Sequence, residues 1–230
     1  MNVEIMVIAG GKCGSTTLKE TFRHQNYITI KSHNPWCFKN QFGYDGFFET
    51  IKKSSKHHEL IIVDAYRTPI ERKISSFFHN GERKIPNFLN LTTEEQINIF
   101  NSDHIYRIEE QHIIHEVFKR LQLPDTKKYN FKKKYLYHKH NNIVFIKLHY
   151  NDIKNWDKRL TSIFSKTIPI VSDNVSSNKP YYEKYKQFLK EYKVPKKYLE
   201  GQLLNDKEFK IYQTPLEQQQ YIDKWLQKSY

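Results

Sequence analysis

Residues 9–18, AGGKCGSTTL, follow the apolar run VEIMVIAG, and their types suit one task, the holding of an anion. Gly10, Gly11 and Gly14 permit a tight turn and close approach of backbone to a ligand, while Ser15, Thr16 and Thr17 offer hydroxyls and a helix N-cap. A strand, a glycine-rich loop and a helix in that order aim free N–H groups and the positive end of a helix dipole at one spot. The loop departs from the G-x-x-x-x-G-K-[ST] pattern of nucleotide kinases and ATPases, because Lys12 stands two residues before Gly14 instead of directly after the last glycine. Taken alone, it is either a 5′-phosphate site or an ordinary strand-to-helix turn. A second stretch, YRTPIERKISSFF, puts Arg67 at a strand end and Ser75 eight residues later, about two turns into the next helix. A guanidinium grips a planar or tetrahedral anion through several donors. Open α/β sheets bind ligands at the carboxyl ends of their strands, so the two stretches can face one crevice. A ligand with two separate phosphate groups fits that layout better than a nucleoside triphosphate does.

The elements that must position these groups are legible as alternating strands and helices. Val3, Ile5, Met6, Val7 and Ile8 form a nearly continuous apolar run, as in a strand buried on both faces of a parallel sheet. Leu18 and Phe22, four apart, begin the apolar face of a helix. YITIKSH predicts a second strand, DGFFETIKKSS an amphipathic helix and ELIIVDAYR a third strand. Thr68 as N-cap and Pro69 at the first helical position start a helix through Ile70, Ile74, Phe77 and Phe78. Residues 81–92 read as a loop, and Thr92 with Glu95 as a capping box. Residues 103–122 predict the longest helix, with Ile113, Val117 and Leu121 on one face and a stop at Pro124. NNIVFIKLHY is the fourth predicted strand, and NDIKNWDKRLTSIF the helix after it. The expected fold class is α/β, a parallel sheet flanked by helices, in a single domain with an α/β core over 1–171. Residues 172–230 read as a mainly helical cover, with Tyr181, Tyr185, Phe188, Leu189 and Tyr192 helically spaced and Thr214 to Glu217 capping a last helix.

Together the two stretches resemble the sulfotransferases that use 3′-phosphoadenosine 5′-phosphosulfate (PAPS). Lys12, Gly14, Ser15, Thr16 and Leu18 match that family's Lys-x-Gly-[ST]-[ST]-x-[LF] loop for the 5′-phosphosulfate. Arg67, Pro69, Arg72, Ser75 and Phe77 are similar to its R-x-P-x-x-R-x-x-S-x-[FY] motif for the 3′-phosphate. IKSHNP resembles the KTHLP of the cytosolic members, which implies His33 as the general base; a plain loop His beside Pro35 is the alternative. The resemblance implies a P-loop NTPase-like sulfotransferase fold and a cofactor site of Lys12, Cys13, Gly14, Ser15, Thr16, Thr17, Arg67 and Ser75. It implies transfer of a sulfuryl group to a hydroxyl acceptor, with a glycan as the expected partner. By analogy with phosphoryl transfer, Lys12 would stabilise charge developing on the leaving oxygen, and Lys31 would be a secondary cation; no metal is expected. In place of the family's glycine-rich RKGxxGDW segment stands SDNVSSNKPYY, where Ser176 or Lys179 would reach the 3′-phosphate or adenine side.

Composition sets the outer bounds. With 38 Lys and Arg against 25 Asp and Glu, the net charge of +13 favours polyanionic partners. Nucleic acid is disfavoured among them, although KKYNFKKKYLYHKH, basic and interleaved with aromatics, is either a polyanion-binding stretch or a solvated Lys-rich connection. Cys13 and Cys37 are too few for a disulfide framework or a zinc site. His112 and His115 approach a metal spacing without a completing carboxylate, and Glu109 or Glu110 could hold an alternative base. The absence of a signal-peptide pattern and of a long apolar run leads to the expectation of a soluble intracellular protein. Nucleoside-phosphate enzymes and non-catalytic polyanion binders remain the other two classes.

Overall fold

A computed structural model describes residues 4–33, 38, 44–106, 113–122, 129–171 and 178–228. The chain gathers into two compact units, one from residues 1–67 and 110–174, the other from 68–109 and 175–230.

The first unit is an α/β sandwich. Its elements are β1 (Ile5–Ile8), α1 (Ser15–His24), β2 (Thr29–Ser32), α2 (Tyr44–His57) and β3 (Leu60–Tyr66). After the excursion through the second unit come α5 (Ile113–Arg120), β4 (Tyr135–His140), β5 (Ile143–His149) and α6 (Trp156–Phe164). The five strands lie in the order β2-β1-β3-β5-β4. The first four run parallel, and β4 pairs antiparallel with β5 at the edge. This corrects the expectation of a wholly parallel sheet. The YLYHKH segment of the basic stretch is an edge strand in a hairpin with β5, not a solvated connection.

Alternate residues of the strands feed two apolar layers, which is why β1 and β5 are buried along their whole length. Met6, Ile8, Ile62 and Phe145 pack with Phe47 and Ile51 of α2 and with Val117 and Phe118 of α5. Ile5, Val7, Val63 and Ile146 pack with Leu18 and Phe22 of α1 and with Trp156 and Leu160 of α6. One charged pair interrupts the first layer. Asp64 and Lys147 are register partners on β3 and β5, their side chains 2.8 Å apart and almost wholly buried.

The second unit is helical. Helix α3 (Pro69–Lys84) opens it, with Pro69 in its first turn as expected, but it runs four residues into the predicted loop and Thr68 makes no side-chain cap. A 3₁₀ turn (Phe88–Asn90), α4 (Thr93–Ile99) and a π-helical turn (Phe100–His104) follow. The expected capping box of Thr92 and Glu95 is present. The long helix predicted over 103–122 is described only at its ends, in the π-helical turn and α5; residues 107–112, including Glu109, Glu110 and His112, lie outside the described residues. The unit is completed by α7 (Tyr182–Glu191), α8 (Lys196–Gly201), α9 (Lys207–Tyr212) and α10 (Pro215–Leu226), the last with the expected capping box of Thr214 and Glu217. Its core is aromatic: Phe77, Phe78, Phe88, Phe100, Phe188 and Tyr192 are all buried in one cluster. Inside it the Tyr221 hydroxyl donates to Glu71 Oε2 at 2.6 Å and accepts from the Ile70 N–H at 3.1 Å. Burial, then the Glu71 carboxylate, hold that phenol well above its ordinary pKa.

Candidate functional site

Chain order fixes where a ligand can sit. From β1 the chain moves to β2 on one side, and then returns to β3 on the other, so β1 is the point where the strand order reverses. A crevice opens outside the carboxyl ends of the strands at such a point. The segments leaving β1 and β3 are the glycine loop and Arg67.

The loop itself is a tight, partly strained turn. The Cys13 N–H donates to the Gly10 carbonyl at 3.3 Å, and Lys12, in the third position of that turn, takes φ 67°. An L residue there costs about 1–2 kcal/mol relative to glycine. Gly14 takes φ 84° and is the N-cap of α1, so the expected N-cap role of Ser15, Thr16 or Thr17 is corrected: no side chain caps this helix. Its first turn also holds no acidic residue. Uncapped N–H groups and the dipole's positive end therefore face the loop.

Cations gather around that turn. Arg67 Nη1 donates to the Lys12 carbonyl at 2.9 Å, and its guanidinium lies 4.5 Å from the ring centre of Tyr150. Lys31 pairs with Val7 in the β1–β2 register and extends Nζ to within 3.2 Å of Thr16 Oγ1. Burial first, and the neighbouring Lys19 ammonium next, lower the Lys31 pKa. An anion arriving beside it opposes that shift, since an opposite charge favours the ammonium form.

His33 follows β2, and its Nδ1 lies 3.1 Å from the Ala9 carbonyl. A carbonyl only accepts, so in the neutral ring Nδ1 carries the hydrogen and Nε2 keeps a lone pair. The backbone at the end of β1 thus selects the tautomer of the candidate base.

The structure therefore brings Lys12, Cys13, Gly14, Ser15, Thr16, Lys31, His33 and Arg67 to one end of one sheet. Ser15 and Thr17 turn into the protein, each less than a tenth exposed, and Cys13 is fully buried with its Sγ 3.7 Å from the Gly11 carbonyl. Ser75, buried in α3, and Lys179, just before α7, belong to the second unit. Ser176 lies outside the described residues, as does Cys37. Among the described residues no group of three or more His, Cys, Asp and Glu forms a metal-holding set.

Two residues that sequence reasoning passed over support the loop from beneath. Trp156 donates its Nε1–H to the His149 carbonyl at 3.0 Å, which fixes the indole at the end of β5. A Cβ added to Gly14 would lie 2.8 Å from Trp156 Cη2 and 3.4 Å from Tyr150 Cδ2. Gly14→Ala should therefore cost about 2–4 kcal/mol, from the left-handed backbone and the overpacking together, read as a lower urea midpoint. A midpoint within experimental error of the parent would remove this account of the loop. Asp152 pins the turn after β5 by accepting from Arg159 Nε at 2.8 Å and Asn155 Nδ2 at 2.7 Å.

Set against family models, curated proteins and solved structures, the chain matches none. Among the described residues, no helix is long and apolar enough to cross a membrane.

Proposed function

We propose that this protein is a PAPS-dependent sulfotransferase of P-loop NTPase-like fold that moves a sulfuryl group onto a hydroxyl, with a carbohydrate as acceptor. The observation that carries the reading is the meeting of Arg67 with the Lys12 turn, which closes two basic segments around the carboxyl end of β1. The residues fit such a cosubstrate. The uncapped first turn of α1 and the Lys12 turn suit a 5′-phosphosulfate, and the remaining guanidinium donors of Arg67 suit a second phosphate.

The chain's own groups supply the chemistry. His33 Nε2 accepts the proton of the acceptor hydroxyl as its oxygen bonds to sulfur. As the bond from sulfur to the phosphate oxygen breaks, the Lys12 ammonium offsets the charge gathering on that oxygen, and adenosine 3′,5′-bisphosphate leaves. Lys31 stands beside the same loop as a second cation for the sulfuryl oxygens. A lysine held at a backbone position that glycine would occupy more cheaply supports a task for the side chain itself.

Calorimetry with adenosine 3′,5′-bisphosphate in EDTA tests the reading, with a micromolar Kd expected. Arg67→Ala should raise that Kd about 10- to 100-fold, the worth of hydrogen bonds to a charged group. Binding of ATP only with magnesium would point to a nucleoside-phosphate enzyme. Salt-sensitive binding of RNA or acidic glycan alone would point to a polyanion binder.

A further inference from the structure

We infer a second ligand site, at the opposite end of the first unit's strands, that takes a neutral carbohydrate of about two sugar residues. A groove of about 440 Å³ opens there between the sheet and the end of α6. Its floor is Val144 and Ile146 of β5 with Ile163 of α6, and its walls include Tyr27, Phe164 and Tyr137.

Tyr137 is the informative residue. It lies on the edge strand β4, is 47% exposed, and its side chain makes neither a hydrogen bond nor a ring contact with any described residue. A large ring left open above an apolar floor is a stacking platform for the C–H face of a pyranose. Tyr27 and Phe164, which also line the groove, lie with their ring centres 6.0 Å apart.

The rim decides the class of ligand. Glu4, Glu59 and His58 line it; the two carboxylates bring two negative charges, but Glu59 pairs with Lys139, and Lys166 lies 4.4 Å from the ring centre of Tyr27. The charges cancel, which favours neither a cation nor an anion. Glu4 uses Oε2 to accept the Ile28 N–H at 2.7 Å, and among the described residues its Oε1 has no hydrogen-bond partner and can meet a hydroxyl. An apolar floor, an open ring and a charge-balanced, hydrogen-bonding rim together match a sugar, whose faces are apolar and whose edge is hydroxylated.

The inference deepens the proposed glycan acceptor, since a groove remote from the transfer end would anchor a polymer by a distant part. The test titrates the full chain with cellotetraose, maltotetraose and N-acetylchitotetraose by calorimetry. At least one should bind with a Kd below about 1 mM that is the same in 50 and 500 mM NaCl. Tyr137→Ala should weaken it tenfold or more and Tyr137→Phe less than threefold, with neither changing the Kd for adenosine 3′,5′-bisphosphate. The inference is overturned if none of the three sugars binds, if binding is indifferent to Tyr137→Ala, or if spermine binds in the groove with strong salt dependence. Sugar binding without bisphosphate binding would leave this site standing and remove the sulfotransferase reading.

Discussion

His33→Ala should lower the turnover number for sulfuryl transfer by about 10²- to 10⁴-fold, the usual worth of a positioned general base, with the Kd for adenosine 3′,5′-bisphosphate unchanged. The effect is expected to be large because the imidazole is oriented twice over. The end of β2 places it, and the Ala9 carbonyl holds the hydrogen on Nδ1. Release of bisphosphate from PAPS in the presence of soluble glycans gives the rate. A variant that turned over as fast as the parent would show that the proton goes elsewhere.

The largest loss of stability is expected at Lys147. Its ammonium and the Asp64 carboxylate lie 2.8 Å apart between β3 and β5, with side-chain exposures of 1% and 3%. Asp64 Oδ1 also accepts the Ala65 N–H at 2.6 Å. Lys147→Met leaves a carboxylate buried without its counter-ion, which typically costs about 3–5 kcal/mol. Asp64→Leu combined with Lys147→Met should recover much of that loss, because two apolar side chains need no desolvation of charge. Urea denaturation of the parent and the two variants reads the difference. A double variant no more stable than Lys147→Met alone would refute the ion-pair explanation.

Much of the first unit can be read from the chain because burial on both faces leaves an unbroken apolar signal. IMVI and IVFIKLH are recognisable for that reason, and even Lys147 does not hide the second, since its charge is met inside the sheet. The edge strand YLYHKH was hidden by the same logic. Only part of it is covered, so Tyr137 and Lys139 face solvent and the segment reads like the basic linker before it. Helix starts written in side chains, such as Thr92 with Glu95 and Thr214 with Glu217, were plain. The start of α1 was not, because a glycine in the left-handed region caps it without a side chain.

The site divides in a similar way. Lys12 and Arg67 could be paired from their places at strand ends, since open sheets gather such residues at a reversal of strand order. Tyr150 and Trp156 gave no comparable signal. One braces a guanidinium and the other limits the volume at Gly14, and both tasks exist only once β5 lies beside β3.

The aromatic core of the helical unit draws on two stretches of chain far apart in synthesis. Phe78 contributes to it early, and its partner Phe188, 5.3 Å away centre to centre, is made more than a hundred residues later. On the ribosome, α3 must therefore wait with its phenylalanines unsatisfied while the second half of the sheet is translated. Such waiting surfaces attract chaperones and one another. Slowed translation between the two stretches, or cleavage that separates them, should send the nascent protein toward aggregates even where every strand of the sheet is intact.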